Sequence, residues 1–310
     1  MNRRFATAWA FLAAIVIAAA GCGAQEAGPA AKPAAPEVSA RAFYAYDAAT
    51  PLEVEPTENK RTDALVQYHL WYTSAHDERV PALLTIPTGV ARPPVVFVQH
   101  GYGDSKEVDY VQWPTAFLVQ RGYAVMSIDA QYHGERKQEN RPQELFAAGS
   151  LGMRDAFVQT VIDLRRALDL LEKREDVDGR RIGYLGMSMG AMLGAVFCGV
   201  DDRVDAVCLV VGGGDLARFA RGKLGPAALE NLKIIDPVYY AGMISPRPLL
   251  MINGRKDDKV PPANAQALFD AAREPKRIEW FEGGHYHPPL DKVQMWVTEF
   301  FASHLREGDG

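Results

Sequence analysis

The stretch Arg181-Ile182-Gly183-Tyr184-Leu185-Gly186-Met187-Ser188-Met189-Gly190-Ala191-Met192-Leu193-Gly194 decides how the rest of this chain is read. An apolar run of strand length, 181–187, leads into the pentapeptide Gly186-Met187-Ser188-Met189-Gly190, and an apolar run of helical character, 189–198, follows at once. G-x-S-x-G between a strand and a helix is the form of a nucleophile elbow. The sharp turn lifts a serine hydroxyl above the end of a sheet, and the flanking glycines leave room where a side chain would be crowded. Three fixed positions recur by chance, so the weight rests on context: strand before, helix after, partners downstream.

A serine hydroxyl is a weak nucleophile at neutral pH and needs an adjacent base. In this kind of fold the partners follow the serine in the order acid, then histidine. Downstream, the apolar run 249–252 enters Asn253-Gly254-Arg255-Lys256-Asp257-Asp258-Lys259-Val260-Pro261, and the run 278–281 enters Glu282-Gly283-Gly284-His285. Asp257, Asp258, His285 and His287 thus fall just past the carboxyl ends of strands, where groups that act on a ligand sit in an open α/β sheet. His285 directly follows the strand and its glycines. His287 lies two positions on, before Pro288-Pro289. A metal reading of His285, His287, Asp257 and Asp258 lacks the helix-borne H-E-x-x-H spacing.

The remaining sequence alternates between two periods. Strands are expected over 68–73, 81–86, 95–99, 124–129, 181–187, 206–211, 248–253 and 277–281, mostly as continuous apolar runs of the kind buried on both faces. Helices are expected over 115–121, 189–198, 263–272 and 290–305. The clearest helix places Phe157, Val161, Leu164, Leu168 and Leu171 on one stripe. Strands alternating with helices imply a mostly parallel central sheet covered on both faces. The short polar link 74–79 joins the first two strands and predicts an antiparallel pair at the sheet edge. Two stretches, 133–151 and 212–246, break the alternation and are expected to overhang the carboxyl edge as loops or a small cap.

At this point the chain resembles an α/β hydrolase of the dienelactone-hydrolase and acetyl-xylan-esterase-like branch. The resemblance covers roughly 82–305. It is carried by His100-Gly101-Tyr102-Gly103, Asp129 with His133-Gly134, the Ser188 elbow, Gly254-x-x-Asp257-x-x-Val260-Pro261 and Gly284-His285. It implies a serine hydrolase cleaving carboxylic esters, with small acyl groups the natural substrates. Ser188 would be the nucleophile, Asp257 the acid and His285 the base. The backbone N–H groups of Tyr102 and Met189 would form the oxyanion hole. His100, Asp129 and His133 would shape loops, and neither metal nor cofactor is called for. A peptidase of the prolyl-peptidase type shares the fold, but usually carries a propeller for which this chain has no room. A non-catalytic binding lipoprotein is the remaining reading, disfavoured by the complete set of reactive groups.

Bulk composition narrows the partners. The chain has 310 residues, 48% of them hydrophobic, with a formal net charge of −5. No basic excess suggests nucleic-acid binding. Arg3 and Arg4 precede an apolar run, 5–20, that is short for a membrane span. Ala19-Ala20-Gly21-Cys22 then resembles a bacterial lipobox, with Ala19 where that pattern usually carries Leu. This implies an exported lipoprotein held at a membrane by a lipid on Cys22, with plain secretion as the competing reading. Residues 1–21 read as a signal peptide and 22–40 as a disordered Ala-Pro tether. Residues 41–310 read as one catalytic domain. Cys198 and Cys208 lie in apolar runs and read as core thiols. Trp113, Phe146, Phe219, Tyr239 and Tyr240 fit either a pocket lining or simple packing.

Overall fold

The computed structural model describes residues 41–137, 151–220 and 225–305. The expectations for Cys22, the signal peptide, the tether and Phe146 fall outside these residues, as does the Phe219 side chain.

Among the described residues nine strands form one sheet: β1 (Glu55–Arg61), β2 (Leu65–Thr73), β3 (Arg79–Pro87), β4 (Pro94–Gln99), β5 (Ala124–Ile128), β6 (Asp178–Met187), β7 (Ala206–Val210), β8 (Leu249–Gly254) and β9 (Lys276–Phe281). Their spatial order is β1-β2-β3-β5-β4-β6-β7-β8-β9. From β5 through β9 all neighbours are parallel, whereas β1–β2, β2–β3 and β3–β5 are antiparallel. The mostly parallel sheet is as the sequence predicts.

Alternation along the buried strands divides the core in two. Val95 and Phe97 of β4 join one apolar cluster, and Val96 and Val98 join the other. In β8, Leu249 and Met251 face the first cluster while Leu250 and Ile252 face the second. The first face is covered by α2 (Leu151–Glu172) and α3 (Met189–Val200), the second by α1 (Asp109–Gln120) and α7 (Leu290–His304). Among the described residues there are also the shorter helices α4 (Leu216–Ala220), α5 (Pro226–Lys233) and α6 (Pro262–Ala271). All five residues of the predicted α2 stripe are buried. Cys198 and Cys208 are buried free thiols. Tyr240 is fully buried and donates its hydroxyl to the Ile234 carbonyl, so it packs rather than lines a pocket.

Two expectations need correction. The β2–β3 pair is antiparallel but not at the edge, because β1 pairs outside it. Glu-Pro-Thr-Glu-Asn-Lys-Arg has no apolar period and every residue of β1 is exposed. Charges and a proline suit an edge that must not pair further, and they remove the signal by which a strand is recognised. Helix α1 also begins six residues before the expected 115, running through Pro114. Proline usually breaks a helix interior. Here Pro114 is buried, and Thr115 Oγ1 donates to the Val111 carbonyl at 2.8 Å.

Candidate active site

Strand β6 ends at Met187 and α3 begins at Met189, leaving Ser188 as the one-residue turn between them, with φ 55° and ψ −116°. A side chain rarely adopts such a backbone, and the cost is of order 1–3 kcal/mol. The turn is held on both sides. Ser188 N–H donates to the Val210 carbonyl at 2.9 Å, and the Ser188 carbonyl accepts from Ala191 N–H at 3.0 Å and Met192 N–H at 3.1 Å. The flanking glycines are required by close approach. A Cβ at Gly190 would lie 2.4 Å from the Gln99 carbonyl oxygen, and one at Gly186 would lie 2.3 Å from the Gly190 carbonyl oxygen. The elbow therefore presses directly on the end of β4.

The loops after β8 and β9 bring the acid and the histidine to this serine. His285 Nε2 lies 2.9 Å from Ser188 Oγ, and His285 Nδ1 lies 2.7 Å from Asp257 Oδ2. Asp257 is buried. Its other oxygen accepts from the backbone N–H of Lys259 at 2.9 Å and of Val260 at 2.8 Å, so the carboxylate cannot turn. Asp258, next in sequence, has a side chain 72% exposed and pairs with Lys259 at the surface. His287 is likewise exposed. Burial thus separates the two neighbouring pairs that the sequence leaves adjacent. Among the described residues no group of three or more His, Cys, Asp or Glu side chains is arranged to hold a metal ion.

The loop after β4 also reaches the serine. A Cβ at Gly101 would sit 3.3 Å from Ser188 Cβ, so this loop packs on the serine, with Tyr102 next along it. Met189 begins α3, and N–H groups in the first turn of a helix have no intrahelical partner. They also carry the positive end of the helix dipole, which favours negative charge at that spot. His100 is fully buried. Its Nδ1–H donates to the Gly101 carbonyl at 2.7 Å, while Nε2 accepts the Ala130 N–H at 3.0 Å. That pairing fits the neutral ring, and burial holds the imidazole below its ordinary range. His133 lies beside it, ring centroids 5.3 Å apart, and burial drives its imidazole down to about 3.

Asp129, directly after β5, anchors this side. It accepts from Lys106 N–H at 2.8 Å, Lys106 Nζ at 2.8 Å and Glu135 N–H at 2.9 Å, with both side chains of the ion pair fully buried. Burial alone would lower the Lys106 ammonium, but Asp129 and Glu135 more than offset it and hold it above the usual lysine value. Lys106 is a residue that sequence reasoning missed. Nothing in a lone lysine within a polar loop marks it as buried.

The family model for acetyl xylan esterase (AXE1) matches residues 45–221. YtaP of Bacillus subtilis (strain 168) is 30% identical over 172 residues, which are 51% of this chain and 56% of that protein, so the match spans little more than half of that relative. The esterase YjfP of Escherichia coli (strain K12) is 28% identical over 246 residues, covering 73% of this chain and 96% of that protein. Acetyl xylan esterase 1 from Thermoanaerobacterium sp. JW/SL YS485 shares the fold with a TM-score of 0.73 at 17% identity, covering 88% of this chain and 95% of its own. With the matched residues running over more than half of its length, through the Ser188 elbow, this chain belongs to the acetyl xylan esterase family.

Proposed function

We propose that this protein is a serine esterase that cleaves carboxylic esters of short acyl groups through an acyl-enzyme. The reading is carried by one observation, the continuous line from Asp257 through His285 to the hydroxyl of Ser188, with contacts of 2.7 and 2.9 Å. His285 Nε2 accepts the Ser188 proton as Oγ attacks the ester carbonyl, and Asp257 steadies the imidazolium so formed. The tetrahedral oxyanion takes hydrogen bonds from the backbone N–H groups of Tyr102 and Met189. Collapse expels the alcohol, which leaves with the proton from His285. Water, deprotonated by the same imidazole, then attacks the acyl-Ser188 ester and releases the carboxylic acid. No step needs a cofactor or a metal.

A fluorophosphonate probe should label the wild type at Ser188, and p-nitrophenyl esters of rising chain length should be hydrolysed fastest at the short end. Labelling of a Ser188→Ala variant, or a preference for long chains, would overturn the respective half of this reading.

The amino-terminal sequence supports an exported enzyme bearing lipid on Cys22. A single acyl chain holds a protein only marginally, at about 0.8 kcal/mol per buried CH₂, so the multiple chains of a bacterial lipoprotein are what make the anchor stable. Palmitate labelling in a bacterial host, with mass spectrometry of the mature amino terminus, should find a modified Cys22 that is lost in Cys22→Ser. A free, unlabelled amino terminus would instead mark plain secretion. Among the described residues no helix is long and apolar enough to cross a membrane.

A further inference from the structure

The loop that packs on Ser188 is gripped at Gly101 from two sides. From one side His100 Nδ1–H donates to the Gly101 carbonyl at 2.7 Å. From the other, Gly101 N–H donates to the phenolic oxygen of Tyr110 at 2.8 Å, and the Tyr110 hydroxyl in turn donates to Asp104 Oδ2 at 2.8 Å. Tyr110 is the second residue of α1, a rigid element that packs against the sheet, so its oxygen is a fixed point. A Cβ at Gly101 would lie 3.2 Å from that oxygen and 3.3 Å from Ser188 Cβ, which places the phenol, the glycine and the nucleophile in one packed row.

The geometry points to Tyr110, held by Asp104, as a positioning residue for the oxyanion hole; the inference rests on the esterase reading of this site. The physical reason is the freedom of glycine. The two peptide planes flanking Gly101 are joined by the φ and ψ of a residue with no side chain to restrict them. In a trans peptide the N–H points away from the preceding C=O. The His100 bond to the Gly101 carbonyl therefore aims the Tyr102 N–H, the proposed donor to the oxyanion. That aim holds only if the preceding plane is fixed as well, and the Tyr110 hydroxyl fixes it. Asp104 accepts the phenol's own proton, which leaves a lone pair toward the Gly101 N–H. Burial raises the Tyr110 pKa, so the hydroxyl keeps its proton throughout the working range. Neither side chain is required to touch the reacting atoms.

The test uses the full chain, with p-nitrophenyl acetate as substrate and an aryl trifluoromethyl ketone as a probe, since its serine hemiketal carries the oxyanion. Tyr110→Phe keeps the ring and its packing. Deleting an oxyanion donor outright costs about 10²–10³ in turnover, so misaiming one should cost about tenfold in kcat with KM unchanged. The ketone inhibition constant should weaken by the same factor, while fluorophosphonate titration still reaches the wild-type endpoint. Asp104→Asn, which retains an acceptor oxygen, should keep more of the turnover than Asp104→Leu. A Tyr110→Phe variant with wild-type kcat and ketone affinity overturns the inference. So does one whose kcat falls with ketone affinity unmoved, or whose KM rises alone. If the wild type neither hydrolyses ester nor takes the probe, the esterase reading fails, and this inference with it.

Discussion

Asp129 and Asp257 are the same device built twice. Each is a buried aspartate just past the carboxyl end of a strand, β5 in one case and β8 in the other. Each ties down backbone by accepting two N–H groups, from Lys106 and Glu135 at Asp129 and from Lys259 and Val260 at Asp257. The third partner differs. Asp129 meets the Lys106 ammonium at 2.8 Å, and Asp257 meets the His285 ring at 2.7 Å. An ammonium is charged before, during and after any reaction, so its ion pair is complete in the resting fold and can only hold it. An imidazole becomes a cation when it takes a proton, so under the proposed mechanism the carboxylate against His285 stabilises a charge that appears during turnover. On the proposed reading one device serves structure and the other serves chemistry, according to when the opposite charge is present.

The comparison is broken most severely at the far end of the Asp257 line. Ser188→Ala and His285→Ala should each lower kcat by about 10⁴–10⁶, because nucleophile and base act as a unit. His287→Ala, at an exposed position, should leave turnover near wild type. Circular dichroism should show intact folds for all three. Comparable losses for His285 and His287 would remove the distinction drawn from burial.

Asp257→Asn should cost about 10³–10⁴ in kcat with little change in stability, since the amide fits the same space but favours the wrong tautomer of the base. Asp258→Asn should have almost no effect. A larger loss at Asp258 would show that the acid is misassigned by one residue.

Asp129→Asn should give the opposite signature. Breaking a buried pair strands the Lys106 charge, at about 3–5 kcal/mol of stability. Urea titration followed by fluorescence should show a lower midpoint, while the folded fraction retains most of its turnover. A variant as stable as the wild type would show that Glu135 alone satisfies the lysine.

The smallest effect is the dependence on acid. His133 is held down at about 3 by burial, against about 6.5 in an unfolded chain. A ring whose pKa is depressed by folding contributes stability that is complete above the unfolded value and is lost as pH falls toward the folded one. Between those limits the unfolded state binds the extra proton, so stability drops by about 1.4 kcal/mol per pH unit. From pH 7 to pH 5 this amounts to about 2 kcal/mol from His133, and His100 adds a loss of the same sign. Thermal denaturation across that range should reveal the slope, and His133→Gln should flatten it. A slope unchanged in that variant would remove His133 as the source.

The sequence alone determined a good deal of this molecule. The parallel strands carry continuous apolar runs because both of their faces are covered, so their composition announces them. The serine, aspartate and histidine that meet above the sheet are legible because a strand end followed by a turn residue is a local pattern, and the order of the three along the chain is fixed by how such sheets are wound. Strand β1 was not legible, since an edge strand exposed on every residue has no reason to alternate. Nor was the start of α1, where Pro114 argues against the helix that tertiary packing sustains. Motif spacing already points to Asp257 and His285; what only the tertiary structure decided is the enclosure that sets them apart from Asp258 and His287. Asp257 and Asp258 are the same residue type one position apart, and what separates them is that the turn after β8 directs one carboxylate inward to two N–H groups and a histidine. The same holds for Lys106 and Tyr110, whose partners Asp129 and Gly101 are 23 and 9 residues away in sequence. Periodicity reports what one element buries. It cannot report which loops meet above the sheet, because that depends on contacts between segments whose separation along the chain carries no signal.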